Sequence, residues 1–378
     1  MNSKKSLAVS FVHGYRDEDK IIEKRVKIPS LITTNTSLER IENISSYFFP
    51  RIASDFQEEL LGCEIKGENP FSKTNITFKK KPRFGMTGLT DGPGSTIFAA
   101  TWNGIYQLSK SKSEYKPIAF YTNRFINDPH GIAYSNGNLY VTLTAADALI
   151  IIDVNSGKII NAIRIDRSLN VISLDKEYEY DWRFISKQYR GARGNWHFNN
   201  VVCRNGKIWL NARQTSCMVE LDLEKNKAEL KTFCWDTPVL THDGEDGQDG
   251  EIVFTSVDGK ILIANLPVKN PKTKPRYDEE GFHDIMQRNY ISKTVRLSDW
   301  YGEEINWCRG MATDGEAFFT TIFGRYDQAK PYFSIAKIEK IDNPLSVKTL
   351  EVDYKILDFC DELRYMTGFS LLVPSLEE

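Results

Sequence analysis

The stretch NDPHGIAYSNGNLYVTLTAADALIIIDVNSGKII, Asn127 to Ile160, contains every part of one small antiparallel unit. His130-Gly131 leads into a short apolar run, Ile132-Ala133-Tyr134, and Ser135-Asn136-Gly137-Asn138 has turn chemistry. Leu139 to Leu143 then alternates with the period of two that marks a strand packed on one face. Ala148 to Val154 is almost wholly apolar, as a strand buried on both faces would be. Asn155-Ser156-Gly157 turns the chain into a fourth strand, Lys158 to Ile163. Four strands joined by tight turns make one blade of a β-propeller, so the fold depends on whether the unit recurs.

It recurs on both sides. Upstream, Met86-Thr87-Gly88-Leu89 precedes Ser95 to Thr101, Gly104 to Leu108 and Pro117 to Tyr121. Downstream, a copy starts at His197-Phe198-Asn199-Asn200, another at His242-Asp243 and another at Arg309-Gly310-Met311-Ala312. Arg364-Tyr365-Met366-Thr367-Gly368-Phe369 echoes Arg83 to Leu89, and one strand, Ser370 to Val373, follows it. Six starts result: Thr87, His130, His197, His242, Arg309 and Thr367. The spacing becomes regular only when insertions are removed, and five or seven blades stay open beside six. A ring closes without sheet edges if the C-terminal strand is completed by Ser6 to Val12 and then Lys20 to Ile28. The expectation is one all-β domain over residues 1–378 with two insertions. One, over 30–62, reads as helical: Thr36-Ser37-Leu38-Glu39 has the form of a capping box, with Leu38, Ile41, Tyr47 and Phe48 following and a second helix over Phe56 to Leu61. The other, over 166–194, is rich in aromatics and would lie over the channel mouth as a lid or a plug.

Composition narrows the function classes. A net charge of -2 over 378 residues gives no general reason to expect nucleic acid or an anionic membrane as partner. No apolar run approaches a membrane span, and Ser6 to Val12 reads as a strand rather than a leader, which points to the cytoplasm. Six cysteines without CxxC spacing suit free thiols better than a zinc ribbon or a disulfide scaffold.

The Asp128-Pro129-His130-Gly131-Ile132-Ala133 opening, the Asn-Gly turn and the apolar third strand resemble blades of the six-bladed propellers of the NHL and gluconolactonase/strictosidine-synthase-like type. The resemblance extends over most of Thr87 to Ile341 as blade grammar. It implies that the innermost strands start at the face where propeller enzymes of this type hold metals and substrates. Among them, peptidyl-hydroxyglycine lyases place a metal on histidines from separate blades. Gluconolactonases use a Glu/Asn/Asp set for calcium or zinc, which has no assigned counterpart here.

Only five histidines occur in the chain, and His130, His197 and His242 begin three successive inner strands. Strands that converge on one mouth could bring three imidazoles to a metal, zinc or ferrous iron, with an open position for water or substrate. The plainer alternative is that each histidine caps its strand. Arg309 takes the matching position in a later blade, and Arg213 and Arg325 fall in loops expected on the same face, where they could clamp a carboxylate or phosphate. Asp128 and Asp243 are candidates for proton transfer, and Trp102, Trp307 and Asn199 for lining the substrate. The acidic loop His242 to Gly250 has oxygen ligands for calcium but no EF-hand spacing, and is read as a solvated turn. Cys308 is read as a buried structural thiol.

Two functions follow. One is a metal-dependent lyase, hydrolase or oxygenase acting on a small anionic metabolite at the channel mouth. The other is a binding or scaffolding module for a peptide or protein, with Thr36 to Leu61 as docking element. Oligomeric state has no sequence signal.

Overall fold

The computed structural model describes residues 5–15, 27–47, 49, 63–68, 84–111, 114–166, 168–174, 196–204, 206–213, 217–232, 241–246, 251–256, 259–265, 291–297, 307–323, 332–339, 347–353 and 363–374. Their strands form six antiparallel-cored sheets, the six blades of a β-propeller. Blade 2 is the unit first recognised: Pro129–Ser135, Asn138–Leu143, Ala148–Asp153 and Ile159–Ile165, with Val171–Ser173 added at its outer edge. Its second and third strands pair from Asn138 with Asp153 to Leu143 with Ala148, and Leu139, Val141, Ile150 and Ile152 are buried in one cluster with blade 1.

Blade 1 starts at Gly88–Asp91, blade 3 at Phe198–Arg204, blade 4 at Thr241–Asp246 and blade 5 at Trp307–Thr313. Blade 6 starts at Leu363–Leu372, and each of these six inner strands touches the next around a closed ring. Blade 1 has one departure from the repeat, Glu64–Gly67, which lies parallel to its outer strand Glu114–Thr122.

Blade 6 is completed from the other end of the chain, as expected. Ser6–Tyr15 pairs with Leu363–Leu372, Ala8 opposite Leu372 and Ser10 opposite Ser370. Leu7, Ala8, Val9 and Phe11 are fully buried there. The Ser10 hydroxyl donates to the Ser370 carbonyl at 3.3 Å and accepts from the Ser370 N–H at 3.0 Å. The Ser370 hydroxyl in turn accepts the Leu89 N–H of blade 1 at 3.1 Å, so one serine ties the closing blade to its neighbour. The third strand of this blade is Ile28–Asn35; residues 16–26, where much of the expected strand Lys20 to Ile28 falls, lie outside the described residues.

The expected helix after Thr36 is not there. Thr36 to Arg40 is a hairpin connection, and Ile41–Tyr47 is the next strand of blade 6, pairing from Tyr47 with Ile28 to Ile41 with Thr34. The capping-box residues serve a turn instead. The Asn35 side chain accepts the Ser37 N–H at 3.0 Å, the Asn35 carbonyl accepts the Leu38 N–H at 3.0 Å, and Leu38 takes a left-handed φ of 49°. An asparagine that bonds its own backbone two residues on starts a turn as readily as a cap. Ile41 and Ile44 then settle against the core from a pleated strand. Phe56 to Leu61, and the aromatic run from Tyr178 to Arg190, lie outside the described residues. Among the described residues no helix is long and apolar enough to cross a membrane.

Candidate functional site at the channel mouth

A recurring irregularity builds the site. Near its start, each inner strand of blades 2 to 5 carries one residue more than its partner strand. In blade 2 the ladder breaks between Pro129 and Ile132, in blade 3 between Phe198 and Asn200, in blade 4 between Thr241 and Gly244, and in blade 5 between Arg309 and Ala312. A bulge bends its strand and re-aims the extra side chain. Immediately after the last regular pair come His130, Asn199, His242 and Gly310.

The rings at two of these positions meet. His130 and His242 have centroids 6.3 Å apart, and both pack on Phe369 of blade 6, at 5.2 and 5.7 Å. The Arg309 guanidinium stacks over the same phenylalanine, 4.7 Å from its centroid. His130, His242, Asp243, Arg309 and Phe369 are all buried. His197 stands one residue ahead of the blade 3 strand, with a left-handed φ of 55°, and its ring lies 6.2 Å from that of His130. The three histidines are thus neighbours, although the register gives the blade 3 equivalent of His130 and His242 to Asn199.

The hydrogen bonds fix which nitrogen of each ring is basic. His130 Nδ1 lies 3.2 Å from the Asp128 carbonyl, which can only accept, so Nδ1 carries the proton and Nε2 the lone pair. His242 Nδ1 donates to Asp243 Oδ2 at 2.7 Å, and the same oxygen accepts the Gly310 N–H at 2.7 Å. Gly310 supplies that N–H from a left-handed φ of 65°. His197 differs: its Nε2 faces Arg213 Nη1 at 3.4 Å, and a guanidinium has no lone pair to offer, so this nitrogen is an acceptor already directed at a cation.

Asp243 holds the electrostatics together. Burial pushes its carboxyl up to about 6, against the opposing pull of the Gly310 N–H and of the positive charges of Arg309, His130 and Arg213. It is therefore part of a buried cluster, and the expectation of a solvated acidic turn fails at this residue. The turn's later residues, 247–250, lie outside the described ones. Asp128 is buried with a left-handed φ of 57°, and its N–H donates to the Trp102 carbonyl at 2.9 Å. Trp102 thus braces Asp128 through its backbone. Trp307 opens the blade 5 strand, and Arg325 lies outside the described residues. Cys308 is a buried free thiol 2.8 Å from the Thr320 hydroxyl, the structural role expected of it.

Three contributors went unread in the sequence. Phe369 occupies the Thr-Gly-Phe echo of Thr87-Gly88-Leu89, and an aromatic in place of leucine at a blade start was its signal. Gly310 supplies an N–H, which no side-chain pattern encodes. Asp147 accepts the Trp196 and His197 N–H groups at 3.1 and 2.7 Å and so sets where blade 3 begins. Its mark was one acid in the otherwise apolar or small run Thr144 to Ile152. Further along the inner strands the channel widens into a cavity of about 230 Å³ bordered by Thr90, Tyr134, Asn200 and Ser370 and reaching His130 and Asp243.

No family model matches this chain, and no curated protein matches it in sequence. Solved structures do match in fold. A Bacteroides caccae protein of unknown function aligns over 98% of both chains with a TM-score of 0.55 at 9% identity. A chain of the nidogen/laminin complex aligns over 97% of both with a TM-score of 0.51 at 8% identity. A streptogramin B lyase aligns over 97% of this chain and 94% of its own with a TM-score of 0.43 at 12% identity. In fold the chain is a six-bladed β-propeller. At such identities the likeness is one of fold, and the chemistry has to come from the site's own residues.

Proposed function

We propose that the channel mouth binds a small anionic molecule and performs proton-transfer chemistry on it, of the lyase or hydrolase kind. The observation that carries this is the convergence of two arginines and three histidines on one largely buried place whose acids are Asp243 and Asp128. Guanidiniums held in low dielectric attract carboxylate or phosphate more strongly than they would in water. Arg309, held over Phe369, supplies charge for the ligand, and Arg213 reaches the same cluster beside His197. His242 is the proton acceptor: Asp243 fixes its Nδ1–H tautomer and steadies the imidazolium that forms once Nε2 takes a proton. A proton removed from the carbon beside the anionic group leads to elimination when a leaving group departs from the next carbon, and one removed from water lets hydroxide attack an ester or lactone carbonyl, the leaving alkoxide taking the proton back from the imidazolium.

A divalent cation is the second reading, favoured by one feature. His130 and His242 both have Nδ1–H engaged, one by a carbonyl and one by a carboxylate, which is how metal-binding imidazoles are usually oriented. These two donors fit zinc or ferrous iron, with calcium less suited to nitrogen. His197, directed at Arg213, is the weakest of the three proposed ligands. Among the described residues no group of three or more His, Cys, Asp or Glu has a metal-site arrangement. A bound metal would polarise an oxygen or acidify water, and oxygenase chemistry belongs to this reading alone. The scaffolding alternative loses the expected support of Thr36 to Tyr47, which is built into blade 6.

The test is a thermal-shift and calorimetric survey of small carboxylates and phosphates on wild type and Arg309→Met. Wild type is expected to bind a subset, and the variant to lose about tenfold or more in affinity while remaining folded. Equal binding by both proteins removes Arg309 from the site. Elemental analysis of the same preparation decides the metal.

A further inference from the structure

The inserted residue of blade 3 is an asparagine whose chemistry the fold leaves unanswered. Asn199 is 0% exposed, and among the described residues neither its amide nitrogen nor its amide oxygen has a hydrogen-bond partner. Its neighbours are fully accounted for. Phe198 and Val201 belong to the apolar cluster between blades 2 and 3, whereas the Asn200 amide donates to the Gly244 carbonyl of blade 4 on the opposite face. Asn199 is the extra residue between these two faces, in the register position that sends His130 and His242 towards the channel axis. Blades 2 and 3 also press together here: a Cβ on Gly131 would come within 2.5 Å of Asn200 Cα and 2.8 Å of the Asn199 carbonyl. A glycine at that point keeps the Asn199 backbone close beside the His130 strand.

A buried amide without partners is costly, so its retention beside charged groups calls for an occupant. An amide presents an acceptor and a donor side by side. What satisfies both at once is a ligand with a hydroxyl next to an oxyanion: the hydroxyl donates to Asn199 Oδ1, and an anion oxygen accepts from Nδ2. We infer that Asn199 is a specificity-determining residue of the mouth and that the bound anion carries a hydroxyl close to its charged group, on the adjacent carbon in a hydroxy acid or one carbon further on in a hydroxyalkyl phosphate. This rests on the anion-binding reading above and narrows it. Asn199 replaces His197 as the third inward-facing side chain of the set His130, Asn199, His242, while Arg309 and Arg213 take the charge.

The experiment compares matched probes: malate against succinate, and 2-hydroxypropyl phosphate against propyl phosphate. Each is titrated calorimetrically into the full chain, wild type and Asn199→Leu. Wild type is expected to favour the hydroxylated member of at least one pair by about tenfold or more, because a site with a fixed amide rejects a ligand that leaves the amide unmet. The leucine variant should bind both members of that pair equally, with the affinity of wild type for the deoxy one. It should also melt at a higher temperature than wild type, since an unpartnered polar group has become apolar. Binding of both members alike by wild type overturns this inference and leaves the anion site standing. A preference that survives in Asn199→Leu assigns the hydroxyl to another residue and overturns it too. Absence of binding by all four probes counts against the anion site itself, and the inference falls with it. A leucine variant that melts lower shows a structural role for the amide and overturns the inference independently of any ligand.

Discussion

The strand Leu363–Leu372 serves two regions that could hardly differ more. Towards its end, Ser370 to Leu372 pairs with Ala8 to Ser10 in a seam where side chains are apolar or hydrogen-bonded, such as Ser10 with Ser370. One residue earlier, Phe369 carries the mouth, where buried charges crowd together, Asp128 and His197 hold left-handed φ values, and the Asn199 amide goes unmet. From Ala8 to Ser10 the seam is a regular, well-packed ladder, while the mouth breaks several rules of a stable core at once. Regions that break such rules while surrounded by regular structure are where proteins place function. Seam changes should therefore act on stability alone, and mouth changes on binding and pH response.

The largest effect is expected at the seam. Deleting residues 368–378 removes the partner of Ala8 to Phe11 and the floor of the mouth together, leaving two sheet edges open. The truncated chain should aggregate or lose cooperative unfolding in urea; one that melts like the full chain would sink the ring closure. Next, Phe11→Ala hollows a fully buried position packed 6.0 Å from Phe333 and should cost about 3–5 kcal/mol in chemical denaturation. Ligand affinity per folded molecule should not change, and a matching loss of affinity would merge the two regions into one.

At the mouth, Asp243→Asn should alter the pH dependence of stability. The carboxyl is raised from 3.8 to about 6 in the folded state, so the folded protein holds this proton more tightly than the unfolded chain does. Stability is accordingly full below pH 3.8 and falls as pH climbs to about 6, by about 3 kcal/mol in order of magnitude. Asparagine cannot lose a proton, so the variant should gain on wild type by that amount between pH 4 and 7. Parallel urea curves for the two proteins across this window would show that Asp243 does not titrate there. The smallest effect is reserved for Ser10→Ala, which removes both hydroxyl hydrogen bonds to Ser370 in the seam and should cost about 1–2 kcal/mol with no change in pH profile.

The fold was largely legible because its signals are local and repeated. Period-two alternation in Leu139 to Leu143, the all-apolar Ala148 to Ile152 and the Asn-Gly turn each encode a strand or a turn within a few residues, and the observed register follows them. The hairpin at Thr36 was misread because Asn35-Thr36-Ser37 has the same side-chain chemistry at a helix start and at a turn, and only the pairing of Ile41–Tyr47 with Ile28–Asn35 decides between them. At the site, His130 and His242 could be picked out by residue type and blade position. The bulge that aims them could not, because an extra residue shows only against a partner strand. That is why His197, first in its blade by sequence, yields its place in the register to Asn199. The environment of Asp243 was hidden for a related reason: its burial and its Gly310 partner come from a blade 67 residues further along.

The seam also sets an order of events during synthesis. Ser6–Tyr15, the first of the two strands, is made long before its ladder partner Leu363–Leu372. At roughly 5–20 residues per second, a ribosome leaves that first strand waiting for on the order of tens of seconds. The blades between can form locally in the meantime, each from neighbouring hairpins. An apolar strand with a bare edge is meanwhile exposed to every other nascent chain. The cell's demand for holding factors on this protein should therefore track the speed of translation, easing when elongation is fast and rising when codons between the two strands are slow.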